Sequence, residues 1–186
     1  MIIFDLDGTL ADCEHRRHLV DPSKNPEYSL RCNPKPKGNF QEDEGWYHIT
    51  SNKKFKPDWD AFHEACNKDE PIRATCEMFL SLAYEPYNRE IEIWSARSES
   101  TRAVTISWLE QHIPEFEKSS YINRILKMRP LGEYTPDEQL KERWLDEVLA
   151  QGKTIDFVFD DRVKVVRMWR RRGIFVFDVN QTGKEF

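Results

Sequence analysis

No run of apolar residues in this 186-residue chain approaches the roughly 20 that a membrane-spanning helix needs. The first residues also lack the basic-then-apolar layout of a secretory leader, so a soluble, cytoplasmic protein is expected. The four cysteines, at positions 13, 32, 66 and 76, form no C-x-x-C pair, which argues against a redox dithiol or a zinc ribbon. Cys13, His15 and His18 stand close together, but nothing nearby completes a zinc-ligand spacing. Positive charge is not in excess either. The 28 Lys and Arg residues face 33 Asp and Glu, a net charge of −5, which excludes a broadly basic nucleic-acid coat protein and leaves room only for a local phosphate site. There is no internal repeat, no G-x-x-x-x-G-K-[ST] and no G-x-G-x-x-G, so neither an ATP-binding P-loop nor a dinucleotide fold has support.

What is present is an alternation of short apolar runs with helical periods. Met1–Asp5 (MIIFD), Glu90–Trp94 (EIEIW), Arg124–Met128, Ile155–Phe159 and Ile174–Phe177 read as strands. Between them, helical stripes run over Ile72, Cys76, Phe79, Leu80 and Ala83, over about Glu99 to His112, and over Leu140, Trp144, Leu145, Val148 and Leu149. Pro71 suits the first turn of one helix, and Thr135-Pro136-Asp137-Glu138 reads as a capping box that starts another at Thr135. A last helix ends at Gly173, and a short one spans Asp58 to Cys66. Apolar strands alternating with helices predict an α/β fold, a Rossmann-like parallel sheet with helices on both faces, in one domain spanning residues 1–186. From Cys13 to Pro57 the chain is polar and proline-rich with no sustained apolar period, and residues 13–57 are expected to form a lid or cap insertion.

Several polar residues follow directly on expected strands: Asp5 and Asp7, Ser95 and Arg97, Asp160 and Asp161. In an open parallel sheet these positions converge on one crevice beyond the carboxyl ends of the strands. Four carboxylates gathered there repel one another unless a cation sits among them, and oxygen-only ligands suit Mg²⁺ best, with Mn²⁺ close behind. Asp5 is then placed to attack phosphorus as a carboxylate nucleophile, and Asp7 to serve as general acid and base. Lys141 and Ser95 are placed to neutralise charge on the transferred phosphoryl oxygens.

Asp5-Leu6-Asp7-Gly8-Thr9-Leu10 resembles the D-x-D-G-T-L signature of the haloacid dehalogenase (HAD) superfamily, with Ser95, Lys141 and Asp160-Asp161 following in that superfamily's order. The resemblance implies Asp5 as nucleophile, Asp7 as acid and base, Ser95 as phosphate ligand and Lys141 as charge-pairing lysine. It also implies Mg²⁺ held by Asp5, the Asp7 backbone carbonyl and Asp160, with Asp161 orienting or joining through water. A second motif acid such as Asp7 marks phosphatases and mutases within the superfamily, so hydrolysis of a phosphomonoester is implied.

The stretch from Phe159 to Gly173 (FDDRVKVVRMWRRRG) is similar to the phosphatase domain of phage polynucleotide kinase-phosphatases. Arg16, 11 residues after Asp5, and Arg129, 12 before Lys141, match that pattern, and with Arg97 they are candidate substrate-phosphate ligands. The expected substrate is therefore a 3′-phosphorylated polynucleotide end, which for a virus-encoded enzyme would be met in the host cytoplasm. Free nucleotides or another small phosphomonoester form the alternative, and a non-catalytic phosphate-binding module is the reading from another class. The basic run Lys164, Arg167, Arg170, Arg171 and Arg172 suits a solvated helix face better than a nucleic-acid patch. Trp46, Tyr47, Phe55 and Trp59, interleaved with Lys53, Lys54 and Lys56, suit either base stacking or pinning of the lid to the core.

Overall fold

The computed structural model describes residues 1–26, 55–84, 89–113 and 119–180. A five-stranded sheet in the order β5-β4-β1-β6-β7 is built from β1 (Ile2–Phe4), β4 (Ile91–Ser98), β5 (Leu126–Arg129), β6 (Phe157–Asp160) and β7 (Val176–Asp178). Every pairing in it is parallel, with Ile2 opposite both Ile91 and Phe157. A small antiparallel pair, β2 (Ala11–Asp12) and β3 (Glu70–Pro71), sits apart from it. The helices are α1 (Trp59–Glu64), α2 (Arg73–Ala83), α3 (Arg102–His112), α4 (Ser119–Ile125), α5 (Asp137–Ala150) and α6 (Val163–Arg171).

Side chains of a strand alternate between faces, and β1 divides the core accordingly. Ile2 and Phe4 join Phe79, Trp108, Leu109 and Phe159 on the side of α2, α3 and α4. Ile3 joins Trp94, Leu140, Trp144, Val166 and Trp169 on the side of α5 and α6. Phe4 stacks on Phe159 at 4.3 Å and meets Phe79 edge-on at 5.1 Å, while Trp94 lies against Trp144 and Trp169 at 5.7 and 5.8 Å. With both faces covered, the strands carry apolar residues at successive positions, and the carboxyl ends are left to the polar ones.

The expected α/β class is therefore what the structure has, with corrections to its boundaries. β4 continues to Ser98 instead of stopping at Trp94, and β6 and β7 each begin two residues later than expected. Arg124 is not in a strand: α4 runs to Ile125 and β5 starts at Leu126. Pro71 lies in β3, and α2 starts at Arg73. The capping box at Thr135 does not form. The Thr135 hydroxyl donates to Glu133, Pro136 is the N-cap of α5, and the helix begins at Asp137. Along α5 the buried stripe is Leu140, Lys141, Trp144, Leu145 and Val148, so a lysine takes a core-facing place and Leu149 is exposed. Of the expected lid, residues 27–54 lie outside the described residues, Trp46 and Tyr47 among them. The part before them holds a 3₁₀ helix over Glu14–Leu19 with Arg16 and Arg17 buried. No helix among the described residues is long and apolar enough to cross a membrane.

Candidate active site

β1 ends at Phe4, and Asp5, still tied to β6 by its amide to the Phe159 carbonyl at 2.9 Å, begins a tight turn. The Leu6 carbonyl there accepts from Leu10 and Ala11 at 2.9 and 2.8 Å. Gly8 takes φ +86°, a conformation side-chain-bearing residues rarely adopt, and a Cβ at Gly8 would collide with the Asp161 carboxylate. The glycine thus lets the turn close against the end of β6, bringing the carboxylates of neighbouring strands together.

Oxygens of Asp5, Asp160 and Asp161 all lie within 4.8 Å of one another, and all three residues are buried. Lys141 reaches in from the buried stripe of α5, its Nζ 2.7 Å from Asp5 Oδ1 and 2.8 Å from Asp160 Oδ2. Asp160 is held further by the Trp169 indole at 3.3 Å and the Arg162 amide at 3.1 Å. Asp161 Oδ1 is buried without a hydrogen-bond partner, and the nearest guanidinium to Oδ2, Arg17 Nη2, is 3.8 Å away. Burial pushes Asp5 up to about 7 against the pull of Lys141, with Asp160 and Asp7 adding to the rise. Burial, reinforced by Asp5 and Asp160, likewise raises Asp161 well above the carboxylate range. Burial alone would lower Lys141, but Asp160 and Asp5 outweigh it and hold the ammonium charged. Three carboxylates against one ammonium leave surplus negative charge, which protons relieve when no cation does. An all-oxygen donor set with an orphaned carboxylate oxygen fits a hard divalent cation such as Mg²⁺.

Asp7 belongs to a different cluster. Its Oδ1 accepts from Arg16 Nη2 at 2.6 Å and from Arg97 Nε and Nη2 at 2.9 and 2.5 Å. Both guanidinium groups also bind Asp69, which is completely buried and takes Arg16 Nε at 2.7 Å, Arg16 Nη2 at 2.6 Å and Arg97 Nη2 at 2.5 Å. His15 Nε2 lies 2.9 Å from the same carboxylate. Burial would raise Asp7, but Arg97 and Arg16 prevail and hold it well below the usual carboxylate range. Arg16 and Arg97, expected to contact a substrate phosphate, here donate to Asp7 and Asp69, and their Nη1 atoms to the Phe62 carbonyl at 2.9 Å and the Thr105 hydroxyl at 3.4 Å, since buried charge requires a partner. The Asp7 carboxylate is likewise not among the oxygens that Asp5, Asp160 and Asp161 gather.

Ser95 is fully buried, with Oγ accepting from the Arg97 amide at 3.2 Å, and Ala96 and Ser98 make the adjoining cleft wall. Arg129 lines the cleft and spends its donors on the Ala96 carbonyl at 2.9 Å, the Thr135 carbonyl at 2.6 Å and Asp137. The cleft itself encloses about 380 Å³ and is bordered by Asp5, Asp7, Lys141, Asp161, His63 and Trp59, among others.

The sequence reading missed Asp69, Asp137 and His63. Asp69 follows no expected strand, and nothing in its local sequence marks it. Asp137 pairs with both Arg129 and Arg162, which its place four residues before Lys141 on the same helix face hints at. His63 is pushed down to about 4, chiefly by burial.

Comparison with known proteins shows the family. The family described as the polynucleotide kinase PNKP phosphatase domain matches residues 52–183, a span that contains Ser95, Arg97, Arg129, Lys141, Asp160 and Asp161 but stops short of Asp5 and Asp7. No curated protein matches significantly. Among solved structures, the Pnkp1/Rnl/Hen1 RNA repair complex aligns with a TM-score of 0.57 at 18% identity over 96% of this chain and 41% of its own. A second Pnkp1/Rnl/Hen1 complex gives 0.58 at 20% identity over 96% and 45%. The chain thus spans less than half the length of those two chains, and the likeness is one of fold. A class C acid phosphatase from Bacillus anthracis with tungstate bound aligns at 14% identity and a TM-score of 0.48, over 99% of this chain and 73% of its own. With most of its length matched by that family, the chain is a phosphoric monoester hydrolase of the HAD class and belongs to the PNKP phosphatase-domain family.

Proposed function

We propose that this phosphatase removes the 3′-phosphate from polynucleotide ends through an aspartyl-phosphate on Asp5, with Mg²⁺, or Mn²⁺ in its place, held by Asp5, Asp160 and Asp161 and by the Asp7 carbonyl. The observation that carries the reading is Lys141, a core-facing lysine bridging Asp5 and Asp160 at 2.7 and 2.8 Å on the floor of a cleft that Asp7 also lines. A lysine is not buried without reason, and here it leaves Asp5 one carboxylate oxygen free of its hold. That oxygen bonds to phosphorus as the bond from phosphorus to the ester oxygen breaks, and Asp7 gives the departing oxygen its proton. Asp7 then takes a proton from water, which attacks the acyl phosphate and releases inorganic phosphate. The arginine pair keeps Asp7 ionised, which suits the second half of this sequence. An incoming phosphate dianion adds negative charge beside it and raises its proton affinity, which the first half requires. Bound Mg²⁺ would supply the positive charge that the three buried carboxylates and the phosphoryl oxygens need.

In this reading Arg129, on the cleft wall, meets the phosphate by exchanging its bond to Asp137 for one to a phosphoryl oxygen, whereas Arg16 and Arg97 act by fixing Asp7. Ser95 supports the end of β4, where Arg97 lies. A second reading, hydrolysis of free nucleotides, has in its favour the carboxylates of Asp60 and Glu138 on the cleft border, which disfavour a long polyanion. Phosphate release from a 3′-phosphorylated oligonucleotide beside 3′- and 5′-nucleoside monophosphates, with Mg²⁺ and with EDTA, separates the two. Faster turnover of the oligonucleotide, lost with EDTA and in Asp5→Asn, is expected. Full release by Asp5→Asn would overturn the mechanism, and preference for a mononucleotide would overturn the substrate.

A further inference from the structure

Two exposed aromatic rings reach the cleft that contains Asp5, one held by packing and the other carried on an anchored loop. Trp59, 42% exposed, opens α1, whose N-cap carboxylate, Asp58, accepts from the Ala61 amide at 3.0 Å. The indole rests edge-on against Phe62 at 5.7 Å, and Phe62 in turn lies under the Arg16 guanidinium at 4.0 Å. Tyr134 is 86% exposed and has neither a hydrogen bond nor a ring partner among the described residues. The loop beneath it is nevertheless tied down. Glu133 pairs with Arg143 at 2.9 Å and accepts from the Thr135 amide at 3.2 Å, and the Thr135 carbonyl accepts from Arg129. A large ring kept in water on an anchored loop loses the burial that usually offsets it, and flat faces presented to a cleft are what a nucleobase stacks on.

The third feature is Lys164. The basic residues at the end of α6 and at its C-cap are all paired. Arg170, Arg171 and Arg172, at the carboxyl end, pair with Asp178, Glu142 and Asp146. Lys164 stands in the first turn, where the helix dipole disfavours a cation; it is exposed, borders the cleft and has no acidic partner among the described residues.

We infer that Trp59, Tyr134 and Lys164 form a subsite for the nucleotide that carries the scissile phosphate: the rings take its base and the ammonium takes the phosphodiester on its 5′ side. The inference rests on the reading of the cleft as a nucleic-acid 3′-phosphatase site and adds to it what distinguishes a nucleotide end from any other phosphomonoester. Arginines buried against carboxylates have no donors to spare for this work, whereas these three side chains do.

The test compares four substrates: a 3′-phosphorylated dinucleotide, the same molecule with an abasic terminal sugar, a nucleoside 3′-monophosphate, and glycerol phosphate. In the wild type, KM is expected to rise when the base is removed. Trp59→Ala and Tyr134→Ala each raise KM for the dinucleotide roughly tenfold, and the ratio between abasic and base-containing substrates falls toward one. Trp59→Phe restores part of the ratio, which a merely structural role for the indole does not predict. Lys164→Ala raises KM for the dinucleotide more than for the monophosphate and flattens the salt dependence. Unchanged ratios in both ring variants, or equal losses on the dinucleotide and the monophosphate in Lys164→Ala, overturn the subsite. Wild-type hydrolysis of glycerol phosphate with none of any nucleotide overturns the underlying substrate reading instead, whatever the variants do.

Discussion

Replacing Asp69 with asparagine strikes a buried charge bonded to two arginines and a histidine. The carboxylate has no exposed surface and accepts Arg16 at 2.7 and 2.6 Å and Arg97 at 2.5 Å, with His15 at 2.9 Å. Asparagine keeps the volume and one acceptor, but its amide NH₂ faces guanidinium donors and the balancing charge is gone. Two arginines are then left with Asp7 as their one shared carboxylate. Removing one member of a buried ion-pair network costs about 3–5 kcal/mol. For a domain of this size each kcal/mol moves Tm by about 2–4 °C, so Asp69→Asn should unfold about 10 °C below the wild type. Urea unfolding gives the free energy, and combining Asp69→Asn with Arg97→Gln tests the coupling, because the second change removes part of the unbalanced charge. The double variant is expected to lose at least about 1.5 kcal/mol less than the two single losses added together. A single-variant loss below about 1 kcal/mol, or strict additivity, would show that the network does not hold Asp7 as described.

Three further outcomes follow from the same geometry. Saturating Mg²⁺ should raise Tm by about 5–10 °C, the size expected of a ligand at a hundredfold its Kd, and Asp160→Asn should abolish the rise; an undiminished shift in that variant places the cation elsewhere. Gly8→Ala should lower both stability and turnover, because its φ of +86° is strained for alanine and the new Cβ meets the Asp161 carboxylate; wild-type behaviour in both assays refutes the role of the turn. His63 is held down to about 4 from 6.5, so the unfolded chain binds its proton first and stability is lost as pH falls from about 6.5 toward 4. That contribution amounts to at most about 3 kcal/mol. His63→Gln should flatten this part of the pH profile, measured as unfolding free energy at pH 7 and pH 4.5, and an unchanged profile counts against a neutral His63.

Much of this was legible in the sequence because the sheet is parallel. Residues 1–5 and 155–159 read as strands, being apolar at successive positions, and the acids after them mark the strand ends where the site lies. The convergence of Asp5, Asp160 and Asp161 followed from that, whereas Lys141 came from the order of the motifs along the chain. The Arg16 and Arg97 contacts did not, because pattern shows that an arginine lies near a site but not which carboxylate claims it. Asp69, 64 residues beyond Asp5, enters only through the fold, carried in by β3 pairing with β2. The start of α5 was misplaced for a local reason: Glu133, outside the apparent capping box, competed for the Thr135 hydroxyl and won it.

The position of β1 in the middle of the sheet bears on how the enzyme comes into being during synthesis. Ile2 pairs on one side with Ile91 and on the other with Phe157, so the strand that emerges before the others is completed only when β6 has been made. Until then the nascent chain holds an apolar segment with an open edge and an Asp5 that lacks both Lys141 and Asp160. Asp5, Lys141 and Asp160 therefore come together only after β6 has emerged, and a product truncated ahead of β6 would lack that cluster and be prone to aggregate.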